Sequence, residues 1–369
     1  MILKSLELLN YRNYENVNIN FSKGINILFG DNAQGKTNIL EAIYVASTTK
    51  SHKSSKDKEI INFNKEEAHI RTYIEKDGID TRIDMHLRKN KSKGVAIDGQ
   101  KIKKAAELIG ITNVVFFSPE DLYIIKDSPA ERRRFVDMEL CQLDNFYIYN
   151  LNNYNKIVTQ RNTLLRDINF KPELKETLKI WDIQLVSYGS KIIEKRKLFT
   201  DQLNEIIYDI HKKLSGGKEE LVIKYEPNVE IDDFEKALNA SKERDIRSKI
   251  TCVGPHRDDF SFYANGIDIR KYGSQGQQRT AALSLKLSEI ELVKKITKHT
   301  PILLLDDVLS ELDKNRQDYL LDSIGDIQTI ITCTGLEDFV NRRFEYDKVF
   351  KVEAGNVQCL NEEKTGSNE

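Results

Sequence analysis

The sequence predicts an α/β protein: a parallel sheet, a small antiparallel sheet beside it, and an inserted helical arm. Three observations carry this expectation. A glycine-rich segment at 30–37 lies between a short apolar strand and a helix-patterned segment. A continuous apolar strand at 301–305 ends in two carboxylates, Asp306 and Asp307. Between these two features, residues 130–214 carry apolar positions at helical spacing.

The elements follow in chain order. Segments 2–8 and 17–21 alternate apolar and polar residues at period two, as half-buried strands do. Segment 24–30 is a short apolar strand bounded by Gly24 and Gly30, and 38–44 has helical spacing. Segments 70–74, 81–85 and 95–97 alternate again, with turn residues Asp77-Gly78 and Asp98-Gly99 between or beside them. From 174 onward Trp181, Leu185, Tyr188, Ile192, Phe199, Leu203, Ile206, Ile210 and Leu214 form one stripe. That stripe predicts a single helix spanning about 60 Å. With a turn at 169–172 it makes 130–214 a helical hairpin. After about 250 the pattern returns to strands and helices, and the tail beyond Leu360 is polar.

The chain has 369 residues and 42.7 kDa, enough for two or three domains of ~150 residues. It is 39% hydrophobic and 31% charged, with mean hydropathy −0.52. No apolar run approaches the ~18 residues of a membrane span, and no secretory signal pattern opens the chain. Its four cysteines are far apart and form no CxxC pair, against a disulfide framework or a cysteine zinc site. A cytoplasmic protein without a membrane partner is expected. Net charge is −1, yet residues 50–104 hold 15 Lys and Arg against 9 Asp and Glu. That segment is a landing surface for a polyanion or simply a solvated lysine-rich face.

Gly30-Asp31-Asn32-Ala33-Gln34-Gly35-Lys36-Thr37 matches GxxxxGK[ST] in a strand–loop–helix context. Its amides and the following helix N-terminus suit phosphates. Lys36 is placed for the β- and γ-phosphates, and the Thr37 hydroxyl for Mg²⁺. Asp306, at the end of the acidic strand, is placed for the same Mg²⁺, and Asp307 for polarising the attacking water. Ser274-Gln275-Gly276-Gln277-Gln278-Arg279 precedes a helix expected from Thr280 to about Lys298. This is the position of an ABC-type signature, which binds a γ-phosphate presented by a second subunit. Ser310-Glu311-Leu312-Asp313, after the acidic strand, is placed to cross the same interface. Leu214-Ser215-Gly216-Gly217-Lys218 looks more like the common LSGGQ signature, but it ends a helix, where glycine is an ordinary cap.

Further segments carry a resemblance. They are Asn10-Tyr11-Arg12-Asn13-Tyr14, Phe117-Ser118-Pro119-Glu120-Asp121-Leu122, Ser128-Pro129 with Arg132-Arg133-Arg134-Phe135, and Gly254-Pro255-His256-Arg257-Asp258-Asp259. With the motifs above, they make the chain resemble the RecF family of bacterial recombinational repair ATPases, related to SMC-type heads. The resemblance implies an ABC-type P-loop ATPase head with an antiparallel β subdomain and an inserted short coiled-coil arm. It divides the chain into 1–125, 126–249 and 250–369, the outer two forming the head. It implies ATP and Mg²⁺ as cofactors, weak hydrolysis, and a homodimer formed on ATP binding. It implies gapped or duplex DNA as ligand near single-strand/double-strand junctions, and RecA loading with RecR and RecO.

Arg12 is a nucleotide contact by resemblance. Lys89, Lys91, Lys93, Arg132 and Arg133 are the expected DNA contacts, and His256 with Arg257 reads as a structural network. Asp307 stands where most ABC relatives carry Glu. Ser118 or Glu120 occupies the usual glutamine position, and Cys333-Thr334 the switch-histidine position. The alternative from another class is the nucleotide-binding subunit of a membrane transporter; a P-loop kinase lacks the signature.

Overall fold

The computed structural model describes residues 1–53, 56–335 and 345–360. The chain forms two compact units, Met1–Asp121 with Val293–Glu369, and Leu122–Leu292.

The first unit opens with β1 (Ile2–Tyr11), β2 (Tyr14–Asn20) and β3 (Ile25–Phe29). The glycine-rich loop then leads into α1 (Lys36–Thr48). Next come β4 (Glu67–Lys76), β5 (Ile79–Arg88), β6 (Gly94–Ile97), β7 (Gln100–Lys101) and β8 (Val114–Phe117). Strands 1, 2 and 4–7 form one antiparallel sheet in the order β2-β1-β4-β5-β6-β7. The turn residues behave as their chemistry dictates. Asp77 and Gly78 both have positive φ between Lys76 and Ile79, as do Asp98 and Gly99 between Ile97 and Gln100. That is the two-residue turn whose twist matches antiparallel strands.

The second unit begins with α2 (Pro129–Leu143), α3 (Asn145–Asp167) and α4 (Leu178–Leu214). At 37 residues, α4 spans about 55 Å. The first leg of the expected hairpin is two helices, not one. Asp144 leaves the helical conformation at φ −145° and its carboxylate accepts from the amides of Phe146 and Tyr147. An N-cap therefore starts a new helix where neither proline nor glycine marks a break. Then follow β9 (Leu221–Glu226), α5 (Phe234–Ser248), β10 (Asp259–Ala264), β11 (Ile267–Asp268), α6 (Ile269–Tyr272) and α7 (Gln275–Thr297). Strands β11-β10-β9 form an antiparallel sheet. Residues 250–292, expected with the head, pack within this second unit.

The chain returns to the first unit with β12 (Ile302–Asp306), α8 (Lys314–Ser323), β13 (Thr329–Cys333), β14 (Lys348–Glu353) and β15 (Asn356–Cys359). The second large sheet has the order β15-β14-β3-β13-β12-β8, parallel except at β15. β12 and β13 are buried along their whole length, which is why β12 reads as an unbroken apolar run up to Asp306. α1 touches β4 and β5 on one side and β8, β12 and β13 on the other. Eleven of its thirteen residues are accordingly buried. The polar tail after Leu360 lies outside the described residues. Among the described residues, no helix is long and apolar enough to cross a membrane.

Candidate nucleotide-binding site

The parallel strands set the geometry of the loop. β3 delivers the chain to Gly30, and Gly35 caps α1 at φ 113°. A Cβ at Gly35 would lie 2.5 Å from Asn13 Nδ2 and 2.7 Å from the Tyr14 hydroxyl, so no side chain fits there. The turn between β1 and β2 braces the loop: Asn13 Nδ2 donates to the Gln34 carbonyl (2.9 Å), and Asn38 Nδ2 donates to Asn13 Oδ1 (2.8 Å). Asp31, Asn32 and Ala33 are exposed at the loop tip. Lys36 Nζ donates to the carbonyls of Gly30 (2.6 Å) and Asp31 (2.9 Å), holding it over the loop.

The loop meets the acidic strand directly. Thr37 Oγ1 donates to Asp306 Oδ1 at 2.8 Å, and Thr332 Oγ1 donates to the same oxygen at 2.8 Å. Burial pushes the Asp306 carboxyl up; the two hydroxyls and the charge of Lys53 work against it, while Glu120 adds to it. Asp307 sits in left-handed backbone at φ 54°, its amide bound to Thr332 Oγ1 (2.9 Å). Burial raises its carboxyl too, opposed by Lys36 and reinforced by Asp306 and Glu311. Ser310 Oγ donates to the Asp307 carbonyl (2.7 Å), fixing the following loop. A threonine hydroxyl beside a buried carboxylate at a phosphate loop is a donor set that fits Mg²⁺. Thr332 is the residue that sequence reasoning missed. Its only signal is register, since Thr332 lies opposite Asp306 across the parallel β12–β13 pair.

At the glutamine position, Ser118 is buried and gives its hydroxyl to Asp121 Oδ2 (3.0 Å). Glu120 is the residue that bears on Asp306. Arg12, at φ 52°, grips Glu41 with two nitrogens at 2.7 and 2.8 Å, one residue from the Asn13 brace. That pair holds the Glu41 carboxyl below its usual range despite burial.

The signature segment lies in the second unit and starts α7 five residues earlier than expected. Ser274 N donates to Gln277 Oε1 (2.9 Å) and Gln277 N donates to Ser274 Oγ (3.2 Å), a reciprocal capping box. Gln275 and Gly276 are exposed in the first turn. Gln277 Nε2 donates to Glu219 Oε1 (2.8 Å), which ties the signature to the loop after α4. That loop contains the 214–218 motif. There the amides of Gly217 and Gly216 bind the carbonyls of Lys212 (2.7 Å) and Lys213 (3.1 Å), closing α4 with a Schellman cap.

The expected DNA contacts divide sharply. Arg132 is corrected: it is 5% exposed, its guanidinium paired with both oxygens of Asp259 at 2.7 and 3.0 Å. Such a group is not available to a phosphate. Arg133 is half-buried, with Nη1 on the Asp258 carbonyl (2.6 Å). Lys89 pairs with Glu66 (3.3 Å) and Lys93 with Asp57 (2.8 Å). Lys91 is exposed. His256 uses both ring nitrogens, on the Tyr154 hydroxyl (2.7 Å) and the Thr251 carbonyl (2.9 Å). Burial pushes it down to about 4, so it is neutral at physiological pH.

The family model "RecF/RecN/SMC N terminal domain" matches residues 2–358. The DNA replication and repair protein RecF of Lachnoclostridium phytofermentans is 64% identical over 358 residues, covering 97% of this chain and 99% of that one. RecF of Clostridium perfringens is 49% identical, covering 97% and 100%. The solved structure described as "the recombination mediator protein RecF-ATPrS in RecFOR pathway" superposes with a TM-score of 0.91 at 36% identity, covering 98% of both chains. An Smc head bound to the C-terminal winged-helix domain of ScpA superposes with a TM-score of 0.57 at 18% identity over 98% of this chain and 97% of that one, a likeness of fold. Parallel sheet, phosphate loop and acidic strand thus define an ABC-type ATPase head. Within that class, the chain belongs to the RecF family.

Proposed function

We propose that this chain is a recombination mediator whose ATP-bound form dimerises and grips DNA. The observation that carries the reading is the Thr37–Asp306 hydrogen bond, which brings phosphate loop and acidic strand together as a Mg²⁺-nucleotide site requires. Lys36, Thr37 and the loop amides bind the phosphates. Thr37 and Asp306 would hold Mg²⁺, which when bound would neutralise developing phosphate charge. Asp307 accepts a proton from water as general base, and its short side chain suits slow turnover. Ser274, Gln275, Gly276 and Gln277 of a second copy close over the γ-phosphate, so ATP acts chiefly as a clamp between two heads. Arg12 is the further nucleotide contact that the resemblance suggests.

The partners follow from the relatives, described as DNA replication and repair proteins and as mediators in the RecFOR pathway. Those descriptions support a DNA ligand with RecR and RecO; the finer reading proposed is gapped or duplex DNA, with RecA reached through RecR and RecO, in the cytoplasm. DNA is held by its backbone, with Lys91 the freest of the expected lysines. Family membership removes the support for a transporter subunit.

The deciding experiment measures affinity for gapped duplex DNA at physiological salt, with and without ATP. Tight binding only with ATP, lost in Lys36→Ala and in Ser274→Arg, supports the clamp. Binding that ignores ATP separates hydrolysis from grip. No binding in either state removes DNA binding as an intrinsic activity.

A further inference from the structure

On the polar face of the antiparallel sheet, Glu67, His69 and His86 stand together, away from the nucleotide site. We propose that these three residues bind one divalent transition-metal ion of the zinc class. The inference is independent of the reading above.

The strand pattern puts all three on one face. Along β4, Ala68 and Ile70 are buried while Glu67 and His69 point the other way. Along β5, Met85 and Leu87 are buried while His86 and Arg88 point the other way. Register sets His69 directly opposite His86, and Glu67 is two residues before His69. The imidazole rings stack with centroids 4.1 Å apart and 18° between their planes. Glu67 Oε2 lies 2.8 Å from His86 Nε2, and Glu67 Oε1 lies 4.0 Å from His69 Nε2. One donor atom from each residue falls within 4.8 Å of the others.

Two imidazole nitrogens and a carboxylate oxygen suit zinc-class ions rather than Mg²⁺ or Ca²⁺. Three protein ligands leave a tetrahedral ion one position for water. With bonds of about 2.1 Å, two ligands of one ion stand roughly 3.4 Å apart. The stacked rings must turn out of parallel for both nitrogens to meet one ion, and the side chains are exposed or half-buried, which leaves room for that rotation. Only neutral imidazole ligates. Flanking Arg71 opposes a cation, but Asp84 pairs with it at 2.5 Å. His69 and His86 border an open depression of about 710 Å³, which gives an ion access from that side.

The test uses the full chain, stripped with chelator and kept free of nucleotide. Co²⁺ is titrated in while visible absorption is followed, and Zn²⁺ is then added in competition. The expected result is one Co²⁺ per chain, displaced by one Zn²⁺. Affinity falls at least ~10-fold in His69→Ala and in His86→Ala, and less in Glu67→Gln. Circular dichroism checks that each variant is folded. Absence of one-to-one uptake overturns the proposal. So does uptake that persists in the double variant His69→Ala/His86→Ala, because the ion then sits elsewhere, for instance at the cysteines.

Discussion

Gly35 shows how much of the site rests on single residues. Its φ of 113° is left-handed backbone, and a Cβ would meet two side chains that brace the loop. Gly35→Ala therefore combines backbone strain of about 1–3 kcal/mol with a steric clash. Loss of ATP-analogue binding by fluorescence titration, in a chain that stays folded, is the expected outcome. Asp307→Asn removes the proposed base but keeps the loop, so single-turnover hydrolysis should fall roughly 10²–10⁴-fold with ATP binding retained. His256 is neutral when folded, with a pKa near 4 against an ordinary value of about 6.5. The unfolded chain binds the extra proton between those values, so stability falls as pH drops from about 6.5 to about 4. The loss attributable to His256 reaches roughly 3 kcal/mol. Urea unfolding at several pH values should show that component gone in His256→Gln. Lys36, Thr37 and Asp306 were legible in the sequence because phosphate and Mg²⁺ chemistry demands those types at that spacing. Arg132 was not, because its acid lies 127 residues away and a run of three arginines looks the same whether it faces water or Asp259.

Elements were legible where local chemistry decides and obscure where distant contacts do. The Asp-Gly pairs announced two hairpin turns, and the apolar run at 301–305 announced a buried parallel strand. The break at Asp144 escaped notice because a capping aspartate in a polar helix resembles any surface carboxylate. The stripe of α4 foretold its length but not what holds its start. Arg161 of α3 is fully buried and bridges Asp182 of α4 (2.7 Å) and Asp245 of α5 (2.7 Å). Removing one member of such a network strands buried charge, at a cost of about 3–5 kcal/mol. Arg161→Leu should therefore lower the denaturant midpoint of the second unit substantially. Replacing Arg161, Asp182 and Asp245 together with apolar residues should restore much of that loss, because no charge is then left unpaired.

At the scale of the whole molecule, a clamp makes a demand that no single residue does. If ATP tightens DNA binding by some factor, DNA must tighten ATP binding by the same factor, since both close one thermodynamic cycle. A coupling of 1–3 kcal/mol, about 5–150-fold, is the usual range. Hydrolysis would spoil the equilibrium, so the measurement belongs in Asp307→Asn. DNA affinity is measured with and without ATP, then ATP affinity with and without gapped duplex, at one salt and one protein concentration. Equal factors are expected, growing with protein concentration because the proposed tight state is a dimer. Ser274→Arg should bring both factors to one while leaving ATP affinity without DNA intact, since in the proposed clamp the signature serves the partner's nucleotide. Lys36→Ala should instead weaken ATP itself. Unequal factors at true equilibrium would mean that ATP and DNA act on different assemblies. A coupling independent of protein concentration would place the switch inside one chain rather than between two.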